Sequence, residues 1–142
     1  LRPGPVCAAV SPVSPVSVVG LGGGVVLCAC SCVVGSDFEK GGSGLSLCAE
    51  PVVRGTANAQ GRLRDLVAIG VIGGPIGTDG RPTGDKPVGP CGRCRQVINE
   101  AAQMGRRDVV VWCAGAEGDA VERHLLSELL PHAFGPGDLG NA

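Results

Sequence analysis

Net charge is nearly absent from this sequence. Its 12 basic and 13 acidic side chains leave a formal charge of -1 over 142 residues. Nucleic acid calls for a basic face and an anionic membrane surface for a polybasic patch, so neither partner has an electrostatic footing here. A small, roughly neutral molecule fits the balance better. Charge is missing altogether between Arg2 and Asp37, and the run from Val16 to Val34 is long enough to raise the question of a membrane span. Its make-up argues against one. Gly20 to Gly24 leads into a Val/Cys stretch of strand character, with neither a Leu-rich helix nor a small-residue cleavage site of the signal-peptide kind. No membrane association and no export are therefore expected, and no internal repeat is visible.

What is present reads as one globular domain. Hydrophobic residues at 44% against charged ones at 18% exclude a disordered chain and suffice for a core of this length. Eight cysteines raise the possibility of a disulfide scaffold. Their placement speaks for thiols instead: Cys28, Cys30 and Cys32 alternate inside an apolar run, and Cys91 and Cys94 form a C-x-x-C ahead of a helical pattern. A reducing, cytoplasmic compartment follows from that reading.

Along the chain, residues 1–16 have no helical period and are expected to form an extended or poorly ordered arm, with a single domain over 17–142. Val25–Val34 reads as a buried strand and 37–47 as a Gly-rich loop. A helix is expected from about Cys48 to Gln60, with Pro51 tolerated in its first turn. Leu66–Ile72 is a second strand and 73–90 a mobile Gly/Pro loop. Cys91 opens a helix whose Val97, Ile98, Ala101 and Ala102 share a face. Val109–Cys113 is a third strand with Trp112 in the core. Leu125, Leu126, Leu129 and Leu130 mark a last helix ending before Pro131. Alternating strands and helices describe a layered α/β sandwich.

Two segments carry chemistry: Cys48-Ala49-Glu50 and Pro90-Cys91-Gly92-Arg93-Cys94. Each opens a predicted helix, where unpaired N–H groups and the positive end of the dipole favour thiolates. Three sulfurs on one Zn²⁺ leave a fourth position for water, the pattern of a catalytic and not a closed structural site. Glu50, two residues past Cys48, is placed to move protons at that water without binding the metal. This arrangement matches the general signature of zinc-dependent base deaminases.

Longer stretches carry a resemblance. Asp37-Phe38-Glu39 through Gly44-Leu45-Ser46-Leu47-Cys48-Ala49-Glu50, then Pro90-Cys91-Gly92-Arg93-Cys94-Arg95-Gln96, and finally Leu129-Leu130-Pro131-His132-Ala133-Phe134 stand in order. They resemble the N-x-E…G-L-x-x-C-A-E, P-C-G-x-C-R-Q and L-L-P-x-A-F blocks of the small cytidine deaminase family. The resemblance implies a three-layer αβα sandwich around a central mixed sheet, one zinc per subunit and a homotetramer. It also implies pyrimidine salvage by hydrolytic deamination of cytidine and 2'-deoxycytidine, a hydrolase reaction on a cyclic amidine C–N bond. By the same resemblance Asp37 and Glu39 bind the sugar, the Ala49 backbone reads the pyrimidine edge, and Phe134 covers the base in a neighbouring subunit.

Departures accompany it. The family's sugar-binding Asn is Asp37 here, which loses a donor when ionised. The Arg that follows C-A-E in the family is Pro51, leaving Arg93 or Arg95 to offset thiolate charge. The aromatic P-Y-S-x-F block is absent, and the chain has no Tyr. The stretch from Cys48 to Ala57 also looks like blasticidin S deaminase, though Glu39 favours cytidine. Other readings are a thioredoxin-like pair at Cys91 and Cys94, a structural zinc completed by Cys28, Cys32 or Cys113, and a zinc-binding homologue without activity. His124 and His132 read as surface residues.

Overall fold

The computed structural model describes residues 23–28, 31–37 and 44–141. The predicted arm at 1–16 and Glu39 lie outside these residues. Among them, no helix is long and apolar enough to cross a membrane.

Five strands form one mixed sheet. Strands β1 (Gly23–Cys28) and β2 (Ser31–Ser36) pair antiparallel, with Cys28 opposite Ser31, and β1 pairs antiparallel with β3 (Leu66–Gly73) on its other side. Strand β3 runs parallel to β4 (Val110–Gly115), and β4 antiparallel to β5 (Val121–Leu125), giving the order β2-β1-β3-β4-β5. Helix α1 (Ala49–Ala59) packs on β1 and β2, while α2 (Gly92–Gly105) makes the crossover between the parallel strands and packs against β3 and against α1. A single turn, α3 (Leu126–Leu129), follows β5. The architecture is the α/β sandwich about a mixed sheet that the sequence implies.

Burial follows the two periods. Helix α1 buries Ala49, Glu50, Val53 and Ala57, and α2 buries Cys94, Ile98, Ala101 and Ala102, each set at helical spacing along one stripe. Strand β4 buries Val111, Cys113 and Gly115 in alternation. Val53, Ile69, Ile98, Val109 and Val111 form the centre of the core between helices and sheet.

Three expectations need correction. The single strand expected at Val25–Val34 is a hairpin, because an apolar run without Gly or Asn gives no sign of where the chain reverses. The last helix is one turn, and Val121–Leu125 before it is an edge strand. Its Val-Glu-Arg-His-Leu sequence lacks the alternation that marks a half-buried strand. Trp112 is half-buried and not core: the alternation that sends Val111 and Cys113 inward turns it to the other face. The guanidinium of Arg123 lies 6.0 Å from its ring centre.

The loop expected at 73–90 begins one residue later, since Gly73 ends β3, and 74–90 contains no helix and only a lone bridge between Ile76 and Pro82. Thr83 N–H donates to the Pro75 carbonyl and Gly77 N–H to Arg81, at 2.8 Å each.

Gly35 at the end of β2 sets how close α1 can come. A Cβ there would lie 2.9 Å from the backbone nitrogen of Val53, a contact no side-chain rotation relieves. Gly35→Ala should therefore push α1 off the sheet and cost about 1–3 kcal/mol, as overpacking usually does. Thermal melting checks this, and an unchanged midpoint would show that the helix can shift freely.

Candidate functional site

The two helix starts meet. Cys48 is the residue before α1 and Cys91 the residue before α2, both with extended backbone (φ -65° and -66°), so each sulfur sits at the mouth of its helix. Pro51 occupies the third position of α1, where its missing N–H leaves no helical hydrogen bond broken. Cys94 lies one turn into α2 and is completely buried. The packing of α1 on α2 brings the three sulfurs within 4.8 Å of one another.

These distances suit a metal. The Sγ atoms of Cys48 and Cys91 are 4.0 Å apart and those of Cys91 and Cys94 3.4 Å apart. Tetrahedral coordination with metal–sulfur bonds near 2.3 Å sets sulfurs about 3.8 Å apart, between the two observed values. The cluster can hold a metal ion, and three soft thiolate donors suit zinc. Cys113 is buried as well but does not join the cluster, and no fourth His, Cys, Asp or Glu does so among the described residues. The structural-zinc alternative finds no support from Cys113. All three cluster cysteines are free thiols.

The sulfurs differ in electrostatics. Burial pushes the Cys94 thiol far up from the ordinary cysteine range, with the neighbouring thiols and the Glu50 carboxylate adding to it. Cys48 is also raised, first by burial and then by Cys91 and Glu50, against a lowering contribution from Cys94. At Cys91 burial again raises the value, but the backbone amides of Cys94 and Arg93 and the two partner thiols outweigh it, so its thiolate is favoured. This is the helix start stabilising an anion.

Glu50 is the one charged residue among the described residues that is buried, at 5% exposure. It stands on the first turn of α1, two residues past Cys48, and its charge raises the thiols of Cys48 and Cys94 as well as that of Cys113. A carboxylate held out of water on the first turn of α1, next to three metal-grade donors, can exchange protons with whatever binds there.

The other predicted residues fall as follows. Ala49, the first residue of α1, is buried next to Cys48. Asp37 stands just past β2 and is half-buried. Phe134 lies in the C-terminal segment with 59% of its surface exposed. Of the two arginines considered for charge compensation, Arg93 is exposed. The Arg95 guanidinium instead donates to the carbonyls of Pro90 (2.9 Å) and Leu129 (3.0 Å), tying the chain before Cys91 to the end of α3.

Sequence reasoning missed the polar stripe of α2. Gln96 and Asn99 both donate to the Phe134 carbonyl, at 2.8 and 3.0 Å, and the Gln103 side-chain oxygen accepts from Gly137 N–H at 3.0 Å. Their i, i+3, i+7 spacing, three amides along one face, was the available signal.

Comparison with known proteins agrees with this geometry. No protein-family model matches the chain. A cytidine deaminase of Halalkalibacterium halodurans is 35% identical over 111 residues, spanning 78% of this chain and 74% of the relative. One from Sporosarcina psychrophila is 32% identical over 108 residues, or 76% and 69%. Among solved structures, cytidine deaminase from Burkholderia pseudomallei superposes with a TM-score of 0.63 at 30% identity over 80% of each chain. That from Mycobacterium tuberculosis gives 0.55 at 28% identity over 80% of this chain and 78% of its own.

Proposed function

This chain belongs to the cytidine deaminase family, and from that premise we propose how its residues divide the work. It is a hydrolase acting on the C4–N bond of cytidine, and 2'-deoxycytidine is its expected second substrate. Cys48, Cys91 and Cys94 hold one zinc ion per subunit, and Glu50 carries the protons. The observation that supports this division best is the meeting of the three thiols at two helix starts with a buried carboxylate two residues past the first.

Zinc bound to these thiolates supplies Lewis acidity, which brings a water molecule near to ionisation at neutral pH. Every other step falls to the protein. Glu50 accepts a proton from the attacking water as its oxygen bonds to C4, and passes that proton to the ring nitrogen N3. It then takes the second proton and delivers it to the departing 4-amino group, so that uridine and ammonia leave and the carboxylate is restored. Burial at 5% exposure keeps bulk water from competing for these transfers.

The Ala49 backbone, fixed at the helix start, recognises the pyrimidine edge. Asp37 and Glu39 bind the sugar hydroxyls. Phe134 belongs to the same proposal as a lid over the base in a neighbouring subunit of a homotetramer, which its exposed ring supports. Free thiols at the site suit the reducing cytoplasm, where a salvage enzyme meets free nucleosides. The blasticidin S alternative is less favoured, because the relatives and solved structures above are cytidine deaminases.

Zinc content measured together with loss of ultraviolet absorbance on cytidine, deoxycytidine and blasticidin S tests the proposal. About one zinc per chain, with cytidine turned over in preference to the drug, is expected. Preference for blasticidin S would reassign the substrate. Zinc without turnover of any of the three would point to a degenerate site.

A further inference from the structure

The C-terminal segment past α3 has no regular structure around Phe134, yet its backbone is held at several points. Just before it, the carbonyl of Leu129, the last residue of α3, accepts from Arg95. Gly135 N–H donates to the Asp138 carboxylate at 2.7 Å, and Gly137 N–H to Gln103 at 3.0 Å. At the centre, two side-chain amides converge on one atom. Gln96 Nε2 and Asn99 Nδ2 both donate to the Phe134 carbonyl, at 2.8 and 3.0 Å, filling both of its acceptor sites. The ring attached to that residue stays 59% exposed.

The chemistry of this arrangement is specific to residue 134. An exposed aromatic ring on an irregular segment samples many orientations, and binding through it loses the entropy of fixing both ring and backbone. Anchoring the carbonyl removes the backbone part beforehand while leaving the ring free to make contact. The anchor is α2, the helix whose start carries Cys91 and Cys94. One rigid element therefore fixes two of the metal-binding thiols and the backbone from which Phe134 projects.

We propose that Gln96 and Asn99 are positioning residues that pre-set Phe134 for the nucleoside site of a second copy of this chain. The proposal rests on the assignment of Phe134 to substrate given above. Neither amide touches substrate. Their effect passes through the ring, so it shows in KM, and it vanishes when the ring is gone. It also cannot exceed the effect of deleting the ring.

Steady-state kinetics on cytidine with the zinc-loaded enzyme test this in a cycle of four proteins: wild type, Gln96→Met/Asn99→Leu, Phe134→Ala, and the triple variant. Removing the ring should raise KM about tenfold. Removing both donors should raise it about fivefold, with kcat within about twofold of wild type. The triple variant should match Phe134→Ala alone. A rise of equal size with and without the ring would mark a merely structural role and overturn the proposal. So would an unchanged KM in the amide variant while Phe134→Ala raises it. A neutral Phe134→Ala would sink the assignment of Phe134 itself, a separate result that takes the proposal down with it. Should the double substitution fail to fold, Gln96→Glu keeps the side-chain shape but sets an acceptor against the carbonyl, and the same cycle applies.

Discussion

Glu50→Gln should leave a folded, zinc-loaded protein that deaminates cytidine about four orders of magnitude more slowly, near the upper end of what general acid–base catalysis contributes. The size follows from the number of transfers assigned to one group. Removal of a proton from water, its delivery to N3 and protonation of the leaving amine all pass through the same carboxylate, so no second residue retains part of the task. A loss of that order corresponds to about 5 kcal/mol in the activation barrier. The substitution is nearly isosteric and touches no metal ligand, so metal stoichiometry should not change. Stability should hold or rise, because a carboxylate kept at 5% exposure beside three sulfurs is tolerated for function and not for folding. Stopped assays at high enzyme concentration, metal analysis and thermal melting give the three readouts. Activity within about tenfold of wild type would remove Glu50 from the proton path.

The parts of the fold that were legible in the sequence are those whose signals are local. The helix starts near Cys48 and Cys91 were legible because Pro51 is tolerated in a first turn and the apolar stripes that follow repeat at helical spacing. Strand β3 (Leu66–Gly73) was legible as Leu66–Ile72, an apolar run in which Val67, Ile69, Val71 and Ile72 are β-branched. The hairpin between Cys28 and Ser31 was hidden because the reversal carries no turn residue, and β5 because an edge strand exposed on most of its length needs no apolar pattern. Trp112 was misplaced for a related reason: size suggests burial, but strand alternation decides the face.

At the site, the three-cysteine cluster was legible because its residue type is rare and its spacing is tied to helix starts. The role of Arg95 was not. A guanidinium next to Cys94 in sequence suggests charge compensation, yet its direction is set by the carbonyls of Pro90 and Leu129, one of them 34 positions away. For Gln96 and Asn99 the amide stripe on one helix face was visible, but its acceptor was not, since the Phe134 carbonyl lies 35 or more residues on. Periodicity marks which face is polar and leaves no trace of what that face holds.

Cys94→Ala should strip the metal and with it all measurable turnover, and comparison with Cys113→Ala separates that effect from simple loss of packing. Both cysteines are buried, with 0% and 2% exposure, and both substitutions remove one sulfur from the interior. Only Cys94 belongs to the three-thiol cluster. Loss of a hydrogen-bonded partner behind a ligand already weakens metal binding about 10–100-fold, so loss of the ligand itself should exceed a hundredfold. Because the metal binds the folded chain in preference to the unfolded one, Cys94→Ala should also lower the melting temperature well below that of Cys113→Ala, and a chelator should reproduce the drop in wild type. The pH dependence runs in one direction. Burial holds the Cys94 and Cys48 thiols above their ordinary range in the metal-free protein, so both are protonated near neutrality and metal uptake must displace at least these two protons. Affinity should therefore fall as pH falls, by about a hundredfold or more per pH unit below neutrality. Calorimetry in buffers of different ionisation enthalpy counts the protons released. Metal retention by Cys94→Ala at wild-type affinity, or uptake without proton release, would show that these three sulfurs are not the ligand set.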